Sequence, residues 1–190
     1  MDVRFRSKAL LRWMACAALV TSSFGAARTA RADVSSWAAV SGGTSLLEDQ
    51  AGGSTHPLLQ LDAGLGTTPN RTLVFGVLFR SWTHFGEGTD WSLAQRTATG
   101  GFARGGWGAA LDLGVYQRFW GEDSTGGAIT LTGGAPWGLQ LGVAAVLGTQ
   151  EARMLTFTLG IDWARLTAHR STGQKWWRNY VLPRETQANR

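Results

Sequence analysis

The sequence predicts an all-β chain, specifically an eight-stranded antiparallel up-and-down transmembrane β-barrel. Three observations lead there. Apolar residues recur at every second position over segments of nine residues or more, the period that sends successive side chains to opposite faces of a strand. The face opposite the apolar one is small and polar, and rich in glycine. The connections between segments also sort by charge, as they do when successive turns alternate between the two ends of a barrel.

Residues 1–32 read as an export leader rather than as part of the fold. Arg4, Arg6, Lys8 and Arg12 precede an apolar run from Trp13 to Val20, and Ala30-Arg31-Ala32 has the small-x-small pattern of a signal-peptidase site. The leader holds six basic residues and one acidic residue, which matches the whole formal charge of +5. The remaining chain carries twelve of each sign, so the pI of 10.3 of the full 190-residue sequence gives no reason to expect a nucleic-acid partner. Cys16 is the one cysteine and lies in the leader, which leaves neither a disulfide framework nor a thiolate site. The 158 residues after the leader contain 25 glycines, about twice the usual share. No uninterrupted apolar run there reaches the length of a membrane helix.

The strands follow in order. The first covers about 36–46 and alternates weakly. The second, 56–66, sets Leu59, Leu61, Ala63 and Leu65 against Gln60, Asp62, Gly64 and Gly66, and the turn Thr67-Thr68-Pro69-Asn70 ends it. The third, 71–84, places Leu73, Phe75, Val77 and Phe79 opposite Gly76 and Arg80. The fourth, 91–99, is more polar and contains Arg96. The fifth, 106–120, sets Trp107, Ala109, Leu111, Leu113 and Val115 against Asp112, Gly114, Tyr116 and Arg118. A short sixth runs over 128–133. The seventh, 137–147, alternates Leu139, Leu141 and Val143 with Gly138, Gln140 and Gly142. The eighth starts near Arg153, with Leu155, Phe157, Leu159 and Ile161 against Thr156, Thr158, Gly160 and Asp162, and its alternation slips after Trp163.

The organisation expected is a leader (1–32), a barrel domain (33–169) and a basic, tryptophan-containing tail (170–190) with a net charge of +4. One barrel rim should be acidic, because Glu48, Asp49, Glu87, Asp90, Glu122, Asp123 and Glu151 fall in one set of connections.

Alternation alone does not say which face meets which surroundings. Strand length, tryptophans near strand ends and the narrow interior of an eight-stranded barrel favour an apolar exterior in lipid. Trp37, Trp107, Trp137 and Trp163 would form one interfacial girdle, and Trp91 and Trp120 the other. Inside, Asp62, Arg80, Arg96, Asp112, Tyr116, Arg118, Gln140 and Asp162 would form a polar network, with Arg165 a further partner for the carboxylates.

On strand count, glycine-rich alternation and termini at the turn side, the segment 36–169 resembles the small eight-stranded outer-membrane barrels of the OmpA/OmpX-like group. The resemblance is one of architecture, without an identity motif. It implies an outer-membrane location after export and a non-enzymatic structural or surface role. It also implies contact with outer-membrane lipid, lipopolysaccharide and the outer-membrane assembly machinery, and a monomeric chain. No catalytic, metal or cofactor site is expected. His169 and Ser171 share an i,i+2 spacing, but the motif that would accompany a lipid-modifying enzyme is absent. The alternative is a soluble periplasmic or secreted lipocalin-like barrel that binds an apolar ligand.

Overall fold

A computed structural model describes residues 34–49, 52–121 and 123–167. Eight strands form one closed barrel in which every strand pairs antiparallel with its sequence neighbours. They are β1 (Ser35–Asp49), β2 (Gly52–Gly66), β3 (Leu73–His84), β4 (Gly88–Thr99), β5 (Gly108–Arg118), β6 (Ser124–Gly134), β7 (Leu139–Gly148) and β8 (Arg153–Asp162). Closure is made by β1 against β8, in a register that runs from Ala39 opposite Asp162 to Glu48 opposite Arg153. A closed sheet has no free edge, so each strand is held from both sides.

This explains where the strands differ from the periodicity. Strand β1 alternates weakly yet reaches Asp49, because β2 and β8 both supply ladder partners along it. Strand β4 begins at Gly88, which draws Asp90 off the expected acidic rim and buries it opposite Arg118. Strand β6 extends over eleven residues between two long neighbours. Strand β8 stops at Asp162, where the chain turns into a short helix, α2 (Trp163–Thr167). Trp137 does not start β7; it sits at φ 73° in the single turn Pro136–Gly138. A second short helix, α1 (Gly100–Ala103), is capped by Thr99, whose hydroxyl accepts from Phe102 N at 3.3 Å.

Large apolar side chains point out and polar ones point in. Leu111, Leu131, Val143 and Phe157 are exposed and are successive cross-strand partners on β5 to β8. Leu141 faces Leu159 and Phe79 faces Leu93 in the same way. At outward-parity positions of the strands the only charged residues are Glu48 and Arg153, which face each other at one rim. Small apolar clusters do exist inside, one around Leu47, Leu58, Trp82, Val146 and Met154 and one around Trp37, Val74, Leu78 and Phe102. Between them the interior is occupied by buried Asp and Arg side chains.

The eight-stranded closed antiparallel barrel therefore stands, and its transmembrane designation is corrected. That designation rested on strand length, on two tryptophan girdles and on a narrow interior lined by a small polar stripe. The stripe is instead a folded core of buried ion pairs, and such a core closes a barrel whatever lies outside it. Two of the six girdle residues belong to the interior as well: Trp37 is 2% exposed and Trp120 packs against the inner cluster. Trp91, Trp107, Trp137 and Trp163 are exposed. No described helix is long and apolar enough to cross a membrane, a fact that says nothing of strands. The leader and the tail, with His169 and Ser171, lie outside the described residues.

Adjacent glycines of β1 test this geometry. A Cβ at Gly42 would have no atom within 4 Å, whereas one at Gly43 would sit on the Phe157 carbonyl oxygen of β8. Gly42→Ala should leave the unfolding free energy within about 0.5 kcal/mol of the parent. Gly43→Ala should lose about 1–3 kcal/mol, the usual cost of forcing atoms into packed space. Equal midpoints in a urea titration would contradict the β1–β8 closure.

Candidate functional site

The polar stripes of β2 to β5 meet in a chain of hydrogen bonds across the barrel. Register sets the pairs: Asp62 faces Arg80 on β3, and Arg96 faces Asp112 on β5. Arg80 donates through Nε to Asp62 Oδ1 at 2.7 Å and through Nη2 to Asp62 Oδ2 at 3.0 Å. Arg96 grips Asp112 in the same two-pronged manner, at 2.7 and 2.8 Å. Arg80 Nη2 also reaches Asp112 Oδ2 at 2.8 Å, which ties the two pairs together. Its Nη1 crosses to Thr130 on β6 at 2.6 Å.

The chain continues upward. Gln60 donates to both Asp62 oxygens and accepts from Trp82 Nε1 at 2.9 Å. Burial alone would lift the Asp112 carboxyl, but the Arg96 and Arg80 contacts outweigh it and hold the group below its ordinary range. Burial would likewise disfavour the Arg80 cation, yet Asp62 and Asp112 raise its pKa above the ordinary value.

A second cluster fills the end that carries the β3–β4 and β5–β6 connections. Asp90 accepts from Trp120 Nε1 at 2.7 Å, from Tyr116 Oη at 3.0 Å and from Arg118 Nε and Nη2 at 3.4 Å. His84 Nε2 lies 3.1 Å from Asp90 Oδ2, and its Nδ1 lies 2.8 Å from Ser45 Oγ. With the carboxylate as acceptor, Nε2 carries the proton; Ser45 Oγ also lies 3.3 Å from the His56 carbonyl oxygen, a second acceptor for its hydroxyl. Burial, then the Asp90 charge, push the Tyr116 hydroxyl pKa up, so it stays a donor.

Ser45, His84 and Asp90 are the residue types of an acyl-transfer relay. Here, however, Ser45 and Asp90 are each 0% exposed. The Trp120 ring also covers His84 at a centroid distance of 5.8 Å. As it stands, the relay is sealed and serves to hold Asp90 and Trp120 in place. Gly88 makes the covering possible, because a Cβ there would collide with the Trp120 ring.

The third cluster lies at the other end, beside α1 and α2. Arg96 packs over the Trp37 ring at 5.2 Å and over Phe102 at 5.6 Å. Arg165 folds back from α2 over the Phe102 ring at 4.3 Å and donates to the carbonyls of Gly106 and Ala135. Asp162 Oδ1 accepts from the backbone N–H groups of Ala38 and Arg165. Burial pushes the Asp162 carboxyl up and the Arg165 guanidinium down. Gln140 donates to Ser41 Oγ at 3.0 Å.

Of the residues singled out by the sequence, Asp62, Arg80, Arg96 and Asp112 thus share one connected core. Tyr116 and Arg118 belong to the Asp90 cluster, and Gln140 and Asp162 to the α2 end. Sequence reasoning did not find Asp90, His84, Ser45, Trp82 or Gln60 as members. Strand parity carried a signal for Trp82 and Gln60; for Asp90 it was hidden by placing the start of β4 three residues too late. Among the described residues, no group of three or more His, Cys, Asp and Glu is placed to hold a metal ion.

No protein-family model, no curated protein and no solved structure matches this chain. The OmpA/OmpX-like likeness therefore has no support beyond strand count and closure, and it is withdrawn. The outer-membrane location goes with it, because it rested on that likeness and on girdles that lose Trp37 and Trp120 to the charged core. The same holds for the structural surface role and for outer-membrane lipid, lipopolysaccharide and the assembly machinery as partners.

The core yields a test by titration and one by substitution. Asp112→Asn removes the carboxylate that Arg96 grips, while Arg80 keeps Asp62, and should cost about 3–5 kcal/mol, the usual penalty for stranding one member of a buried pair. Asp112 and Asp162 should act oppositely with pH. The lowered Asp112 pKa means that its contribution is complete above the ordinary carboxylate value near 4 and is lost as pH falls through the folded value. The raised Asp162 pKa means that the folded state holds the proton longer, so its contribution declines as pH rises from about 4 through the folded value. Stability measured by denaturant titration across that range should fall less with rising pH in Asp162→Asn than in the parent.

Proposed function

We propose that this chain is a non-enzymatic binding protein for amphiphiles, and that it holds their acyl chains against the outside of the barrel wall. The single observation that carries this reading is the outward row of cross-strand apolar partners, Leu111, Leu131, Val143 and Phe157, bordered by Leu113, Leu141 and Leu159. Contiguous apolar surface of this extent on a folded chain marks a place where apolar matter is bound. The reading keeps one element of the lipocalin-like alternative, a closed barrel with an apolar ligand. It moves the ligand from the lumen to the wall, because the lumen is filled by Arg80, Arg96, Asp62 and Asp112.

Acyl chains come from two sources, single amphiphiles and bilayers, and the experiment should separate them. The folded chain would be titrated with a fluorescent single-chain fatty acid below its micelle concentration, and in parallel floated with phosphatidylcholine vesicles. Saturable binding in the first arm identifies single amphiphiles as ligands; association only in the second identifies a bilayer. Leu141→Lys should weaken whichever association is seen by about tenfold, since a buried Leu is worth roughly 1.5–3 kcal/mol. A chain that remains monomeric in detergent-free buffer and binds in neither arm would sink the proposal.

A further inference from the structure

We propose that the α2 end of the barrel encloses a hydration site, in which bound water donates to Asp162 Oδ2 and Gln140 Oε1 and accepts from Arg165 and Trp37. Five buried atoms at this end have no hydrogen-bond partner in the protein: Asp162 Oδ2, Gln140 Oε1, Arg165 Nε, Arg165 Nη1 and Trp37 Nε1. Their side chains are all more than nine-tenths buried, Asp162 at 0% exposed and Gln140, the most open, at 4%. No other buried side-chain polar atom among the described residues lacks a partner. The core of ion pairs and the Asp90 cluster are internally satisfied; this layer is not.

All five atoms belong to side chains at the α2 end of the barrel. Gln140 and Ser41 flank Gly160 from β7 and β1, and Asp162 is two residues further along the same inward face of β8. Arg165 and Arg96 both pack against the Phe102 ring, and Arg96 covers Trp37. The Arg165 guanidinium is fixed in position: two carbonyls hold Nη2, and Gly134 supplies the room, since a Cβ there would lie 2.6 Å from Nη1.

The chemistry of the open atoms selects the ligand. Three are N–H donors and two are acceptors, so the occupant must both give and take hydrogen bonds. A cation would be repelled by Arg165 and an anion by Asp162. A neutral protic molecule the size of water meets both demands, and buried waters ordinarily make about three such bonds to groups that would otherwise go unpaired.

Proton exchange at the indoles tests this in solution. Trp37 and Trp82 are equally sequestered, at 2% and 0% exposed, but Trp82 Nε1 is bonded to Gln60 within the protein. In deuterated buffer the Trp37 indole N–H should exchange at least tenfold faster than that of Trp82. A high-resolution crystal structure should place a water oxygen within about 3.2 Å of both Asp162 Oδ2 and an Arg165 nitrogen. Indole exchange at equal rates, or density in which Arg165 meets Asp162 directly with no water between them, would overturn the proposal.

Discussion

The fold depends on a two-pronged contact made twice and then joined. Arg80 on Asp62 and Arg96 on Asp112 are each cross-strand neighbours, so each pair fixes the register of one hairpin. The bond from Arg80 to Asp112 then spans two hairpins, and the bond to Thr130 reaches a third. A one-residue slip of any of these strands would send a charged side chain to the apolar exterior and strand its partner inside. Buried ion pairs add little net stability over apolar packing. Their contribution here is choice of register, in a chain whose outer face, largely apolar, would tolerate many registers.

Much of this architecture was legible in the sequence, for a physical reason. Both faces of a barrel strand are continuous environments, so the alternation of Leu155, Phe157, Leu159 and Ile161 with Thr156, Thr158 and Asp162 is read without knowing the partners. The same logic placed Asp62, Arg80, Arg96 and Asp112 on the inner stripe. It failed where the closed sheet overrides local pattern. Strand β1 is defined by two neighbours rather than by its own weak alternation, and β4 starts early because β3 supplies ladder partners from His84 opposite Gly88 onward. Trp37 shows a different limit. Proximity to a strand end suggested an interfacial aromatic, but its odd-numbered parity places it inside with Arg96, and parity is the stronger guide.

The two ends of the barrel are closed by different means. At one, Trp120 and Tyr116 converge on Asp90, so aromatic rings cover a carboxylate whose hydrogen bonds come from four side chains. At the other, the short helices α1 and α2 bring in Phe102 and Arg165, and the polar groups there are only partly matched to one another. Neither helix is long enough to be stable alone. Each persists because the side chain it delivers is held in place, Phe102 against two guanidiniums and Arg165 by two carbonyls.

The buried carboxylates Asp62, Asp90, Asp112 and Asp162 are matched in number by the buried guanidiniums of Arg80, Arg96, Arg118 and Arg165. At the centre of the barrel a mobile ion would meet Asp62, Arg80, Arg96 and Asp112 already committed to one another, at distances of 2.7–3.0 Å. It could not exchange its own hydration for free ligands without breaking such a pair in a poorly screened interior. In electrical language, this barrel is a tube with the character of an insulator: the charges that would make a lumen conductive are the ones that hold it shut.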